Sequence, residues 1–169
     1  MYELKRLTPD AIASAVKKAE RYRLLKEPYE AESICLDVLE VDPDNQDALI
    51  TLLLARTDKL GSELFPAFTQ AEEALNRLSD RYCKAYYGGI LAERRAKVHL
   101  EKGGPGSGQI VFEWLRKAMT AYEAAMTTCS PGNQDALLRW NTCARILNEN
   151  PEIKPAEGES AVEMLDSWD

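Results

Sequence analysis

Apolar residues recur at helical spacing through most of the first 150 positions, and proline, glycine and Asx residues punctuate them. After Thr8-Pro9-Asp10, where Thr offers an oxygen to free amides and Pro suits the first helical position, Ile12, Val16, Ala19 and Tyr22 make one stripe. Lys17, Lys18 and Arg21 lie between them. The pattern predicts a first helix to about Lys26. Pro28 restarts the chain, and Ala31, Ile34, Cys35, Val38 and Leu39 predict a second helix that ends before Pro43. So short a connection makes the two antiparallel neighbours.

Asp44 or Asn45 is the expected cap of a third helix carrying Leu49, Ile50, Leu52, Leu53, Leu54 and Ala55. A helix apolar on nearly every side is covered on more than one side, so this one should be central. Gly61-Ser62 closes it, and Phe68, Ala71, Leu75 and Leu78 predict a fourth helix from about Phe65 to Ser79. The fifth, from about Tyr82 to Lys102, has Ala85, Gly89, Ala92 and Ala96 in register, a small-residue seam for close approach. Gly88-Gly89 inside it costs about 2 kcal/mol against two alanines, which asks for a packing reason. The run Gly103-Gly104-Pro105-Gly106-Ser107-Gly108 breaks the chain. A sixth helix follows with Val111, Trp114, Leu115, Ala118, Tyr122, Ala125 and Cys129 as its stripe. The seventh sets Leu137, Trp140, Cys143, Ala144 and Leu147 on one face, with Arg139, Asn141 and Arg145 elsewhere, and stops at Asn150-Pro151. No segment reads as a strand, so the fold class is all-α.

Two octets mark the joints. Residues 42–49, DPDNQDAL, and 130–137, SPGNQDAL, agree at six of eight positions across an offset of 88 residues. An inexact copy of a helix-boundary signal between paired helices marks a helical solenoid. Its Pro stops one helix, and its Asn is placed to cap the next.

On these residues the chain resembles a tetratricopeptide repeat array. Ala19, Tyr22, Ala31, Val38 and Pro43 follow the family's small-aromatic-small-small-Pro pattern. The second unit keeps Asn45-Gln46-Asp47-Ala48-Leu49 and Ala67, Ala71 and Ala74, without the usual Gly and Tyr in its first helix. The third has Gly88-Gly89, then Ala118, Tyr122, Ala125 and Pro131. The resemblance implies a right-handed superhelix of about three antiparallel helix pairs, about 9–42, 44–80 and 82–130, with a C-terminal capping helix over 133–150. Residues 151–169 remain as an acidic C-terminal tail. It also implies that the first helices line a concave groove for a peptide. Carried over by position, the groove residues are Ala13, Val16, Glu20 and Arg23; Asp47, Ile50, Leu54 and Asp58; Tyr86, Tyr87, Ile90, Glu93, Arg94 and Lys97; and Leu138, Thr142 and Arg145. The subfamily that clamps a terminal carboxylate uses Lys, Asn and Arg at such places. Here Val16, Glu20 and Thr51 stand there, so no such clamp is expected.

Charge changes this picture in one place. The formal net charge is −7, which disfavours nonspecific binding to phosphate backbones or anionic lipid. Residues 151–169 hold six carboxylates against Lys154, a net of −5, so the helical part is nearly balanced. At 169 residues with 45% hydrophobic and 29% charged, the chain fits one globular domain or a short array. The start lacks a signal-peptide apolar region, and the apolar run Leu49–Ala55 is too short to span a bilayer. A cytoplasmic location is expected. Cys35, Cys83, Cys129 and Cys143 are scattered without a C-x-x-C pair, fitting reduced, core-filling thiols.

Candidate chemistry is sparse. Gly103 and Gly108 have the P-loop gap, but Gln109-Ile110 replaces the required Lys-Ser/Thr and a helix precedes instead of a strand. A flexible connection is the expected role. His99 is the only histidine and lacks a recognisable nucleophile, while Glu72-Glu73 and Glu27/Glu30 fit solvated faces. No catalytic, cofactor or metal residue is assigned, and no enzyme is expected. Arg94, Arg95, Lys97 and Lys102 beside Tyr86 and Tyr87 fit either a solvated basic face or a groove for an acidic, aromatic-containing peptide, since Arg and Tyr concentrate binding energy. In the tail, Val162, Leu165 and Trp168 recur at i, i+3 and i+6 among acids, which fits either plain disorder or docking in the chain's own groove or a neighbour's. The expected function is a protein-protein interaction scaffold whose concave groove binds a peptide or protein segment, with no nucleic acid or membrane partner. The alternatives are a self-associating structural protein, or a ligand-binding or enzymatic helical domain using the glycine loop or the His99 region.

Overall fold

The computed structural model describes residues 1–156, and every regular element among them is helical. A 3-10 turn, Pro9–Ala11, leads into α1 (Ile12–Leu24), followed by α2 (Pro28–Val41), α3 (Gln46–Asp58), α4 (Leu64–Asn76), α5 (Arg81–Lys102), α6 (Ser107–Met126) and α7 (Asp135–Glu149). Each helix packs on the next. Two further contacts, α1 on α3 and α3 on α5, make α3 the central helix, touching α1, α2, α4 and α5. Its burial matches: Ala48, Leu49, Leu52, Leu53 and Ala55 are all sealed from solvent. No helix among the described residues is long and apolar enough to cross a membrane.

The helix boundaries follow local chemistry, with some departures from expectation. Thr8 precedes the Pro9 turn but makes no side-chain cap bond. Asn45 does cap α3, its Oδ1 accepting the Ala48 amide at 2.9 Å. In the second octet Asn133 Oδ1 instead accepts the Asp135 amide at 3.0 Å, closing a tight turn, and α7 starts only at Asp135. On that phase Ala136 and Cys143 point inward while Leu137 is exposed, so Leu137 does not belong to the buried stripe of α7. α4 ends at Asn76, and Leu78 is buried just beyond the helix rather than within it. Asp80 caps α5 by accepting the Cys83 amide at 2.8 Å, and this bond holds its carboxyl below the ordinary range.

The core falls into three clusters. One joins α1, α2 and α3 with Ala74 and Leu78; a second joins α5, α6 and α7; a third gathers Leu60, Ala67, Phe68, Ala71, Leu91 and Val98. Leu54 and Tyr87 border both the first and the second. Between α5 and α6 the small-residue seam has one indispensable position. A Cβ on Gly89 would lie 2.5 Å from Cε1 of Tyr122, whereas one on Gly88 would meet only Leu75 Cδ2 at 3.6 Å. Gly89 therefore has the packing reason that the glycine pair demanded, and Gly88 has none.

Cys35 and Cys143 are buried and unpaired, and burial pushes both thiols up to about 12. The acidic segment is in part a packed element. Ile153 is 5% exposed within the α5–α7 cluster, and its amide donates to Asn150 O at 2.9 Å. The glycine run makes room for it: a Cβ on Gly108 would lie 2.5 Å from the Glu152 carbonyl oxygen. Gly103, Gly104 and Gly106 sit at positive φ and turn the chain into α6.

Candidate binding face

α1, α3, α5 and α7 share a row of charged side chains held by two carboxylates. Asp58, at the end of α3, accepts from Arg23 of α1 at 2.7 Å and pairs with Arg94 of α5. Arg94 also donates to Thr57 Oγ1 at 2.6 Å and to the Leu54 carbonyl at 3.5 Å, closing the exposed end of the α3 ladder. One turn along α5, Lys97 donates to Glu93 at 2.5 Å. Arg139 of α7 approaches the same carboxylate at 3.4 Å, and Tyr122 of α6 donates its hydroxyl at 2.6 Å.

Glu93 is 0% exposed, and three donors from α5, α6 and α7 surround its carboxylate, the partners that a buried acid requires. Burial, then the neighbouring Glu93 charge, pushes the Tyr122 hydroxyl far above the ordinary tyrosine range. It stays a donor. Burial works against the charge on Arg139, but Glu93, Tyr122 and Tyr86 raise its pKa overall. Four cations thus face two carboxylates. The side chains of Arg94, Lys97 and Arg139 keep 27%, 38% and 32% of their exposure, so donor N–H groups remain open to an anionic partner.

An aromatic wall adjoins this row. Tyr82 and Tyr86 stack with centroids 5.5 Å apart, Tyr86 meets Tyr87 edge-on at 5.2 Å, and Tyr86 tilts toward Tyr122 at 6.0 Å. Burial raises the hydroxyls of Tyr86 and Tyr87, the latter to about 12. No family model, characterised protein or solved structure matches the chain. The face is therefore read from its own chemistry.

The groove residues assigned from sequence do not all meet on one face. Arg23, Asp58, Arg94 and Lys97 meet as described, and Tyr86 and Tyr87 are half-buried beside them. Ile50 and Leu54 are half-buried against the core clusters. Ile90, at 4% exposure, and Glu93 are interior and cannot touch an occupant, because the α6 stripe covers that side of α5. Arg145 is exposed and makes no ion pair among the described residues. Val162, Leu165 and Trp168 lie outside the described residues.

Arg139 and Tyr122 were not assigned to the face from sequence. Arg139 read as outside the α7 stripe and Tyr122 as plain core. The signal that points to them is Glu93 itself, a carboxylate one turn beyond Gly89 on the face that α6 must cover, which requires donors from whatever packs there.

On the opposite side of α5, Arg95 packs 4.3 Å from the Phe68 ring centroid and 4.2 Å from that of Trp114, joining α4 to α6. His99, one turn on, has a buried Nε2 with no hydrogen-bond partner among the described residues. Burial, then Arg95 and Lys102, lowers its pKa below the ordinary 6.5. Arg95 thus faces away from the Glu93 side of the helix, so the basic residues of α5 lie on two faces rather than one.

Proposed function

We propose that the chain is an interaction module of the tetratricopeptide repeat type: a right-handed superhelix of about three helix pairs with α7 as its cap. The α1–α3–α5–α7 face receives an acidic, aromatic-containing segment of a partner protein. The observation that carries the reading is the row of four part-exposed cations, Arg23, Arg94, Lys97 and Arg139, paired to two carboxylates and bordered by Tyr86 and Tyr87, with Asp135 as a further acid beside that wall. Partner carboxylates would take the open guanidinium donors, and partner aromatic rings would pack on the tyrosine wall. Asp58 and Glu93 are both engaged with cations, which supports binding over general-base chemistry.

The test is a titration of the full chain with a fluorescent peptide of alternating acidic and aromatic residues, at low and high salt. Binding that weakens at least tenfold in a Lys97→Gln/Arg139→Gln variant of unchanged helicity supports the reading. No binding by the native chain, or equal binding by the variant, rejects it.

A further inference from the structure

The outer side of α1 is covered by nothing in the described fold and is locally basic within a chain of net −7. Lys17, Lys18 and Arg21 of α1 are exposed and make no ion pair among the described residues. Leu24 and Leu25 follow at 82% and 59% exposure. A groove of about 260 Å³ runs between Lys18, Arg21, Tyr22 and Leu25. Tyr22 also walls an adjoining hollow of about 400 Å³ formed with Tyr29, Glu30, Ser33 and Ile34 of α2. The surface therefore offers a part-exposed apolar floor with cations along one rim; Glu20, Glu27 and Glu30 are nearby acids, and Tyr29 donates its hydroxyl to Glu63.

We propose that this end face receives residues 157–169 of a second copy, so that copies join head to tail. The complementarity lies in both chemistries. Residues 157–169 carry five carboxylates and no cation, interleaved with Val162, Met164, Leu165 and Trp168. The acids suit Lys17, Lys18 and Arg21, and the apolar residues suit the Tyr22, Leu25 and Ile34 floor.

Reach selects a second copy over the same one. Ile153 and the Glu152–Gly108 contact pin the segment beside the start of α6, at the α5–α7 end of the stack. From α7 the chain would have to pass α5 and α3 to reach α1, three helix-to-helix steps of about 8–10 Å each. The link from Ala156 to Val162 extends only about 20 Å. A contact between different patches of identical chains is heterologous: it builds a ring where the rotation closes and a filament where it does not, and a reciprocal exchange of tails closes a dimer.

The experiment is sedimentation of the full chain over a wide concentration range. Mass should rise above that of the monomer with concentration. Lys18→Glu/Arg21→Glu and, separately, Glu163→Lys/Asp166→Lys should each weaken association at least tenfold, and mixing the two variants should restore it. Trp168→Ala should give the same loss without touching α1, which covers the case of an α1 variant that loses helicity. Lys97→Gln/Arg139→Gln should leave association intact, separating this contact from the α5 face. A native chain that stays monomeric, or association that survives the α1 reversal, overturns the proposal. So does a chain truncated after Ala156 that keeps self-associating, or one that binds phosphatidylserine vesicles through α1 while the full chain remains monomeric; the last result would assign the face to lipid.

Discussion

The ring of Tyr122 occupies the space that a Cβ on Gly89 would need, with Cε1 2.5 Å from that point. α6 can therefore lie against the α5 backbone closely enough for the Tyr122 hydroxyl to reach Glu93 at 2.6 Å. Gly89→Ala should cost about 1–3 kcal/mol through overpacking, even after the better helix propensity of alanine. Gly88→Ala, with only ordinary contact to Leu75, should gain about 0.5–1 kcal/mol. Denaturant midpoints of the two variants check this. Equal shifts of the same sign would refute the assignment of the seam to one glycine.

Tyr122→Phe removes one of the three donors around a fully buried carboxylate and keeps the ring. The loss should be about 1.5–3 kcal/mol, the range for a hydrogen bond to a charged group. Glu93→Gln with Tyr122→Phe should cost less than the sum of the single changes. A double-mutant cycle measures that coupling.

Acid should weaken the fold in two stages. The folded His99 imidazole lies below 6.5, so the unfolded chain takes up that proton first, and stability declines as pH falls below about 6.5. Glu32 behaves as a depressed carboxyl. Burial opposes its charge, but hydrogen bonds from Lys59 at 2.5 Å and Arg56 at 2.9 Å prevail. Its contribution is present above 4.5 and is lost as pH falls through the folded value. His99→Gln should flatten the melting temperature between pH 7 and 5. Glu32→Gln should lower it at pH 7 by removing the partner of two nearly buried cations, on the order of 3 kcal/mol.

Gly108→Ala should release residues 150–156 without unfolding α6, because the clash is with the Glu152 backbone. Cleavage after Glu152 by a glutamate-specific protease should then accelerate severalfold, with helicity unchanged. An unchanged cleavage rate would show that the contact does not hold the segment.

Much of the fold was legible because it rests on local rules. The 3.6-residue stripes located all seven helices, and the apolar surround of α3 marked it as central before any contact was known. The boundaries that failed depend on details that composition does not carry: Asn133 bonds two residues ahead instead of three, and Leu137 turns outward with it. The candidate site was half legible. Position along α5 singled out Glu93, Arg94 and Lys97, but the depth of Glu93 depends on α6 and α7 arriving together, which is a tertiary fact. The anchoring of Ile153 was hidden for a related reason. One isoleucine between two prolines has no periodicity to betray it.

The two larger clusters share Leu54 and Tyr87 as bordering side chains, and Arg94 clamps the Leu54 carbonyl and Thr57 across the same boundary. Pulled from its ends, such a chain should behave as two blocks on a common hinge. The α3–α5 boundary would part first, and the α5–α7 block, closed by its own buried charge and by Ile153, would hold longer under load.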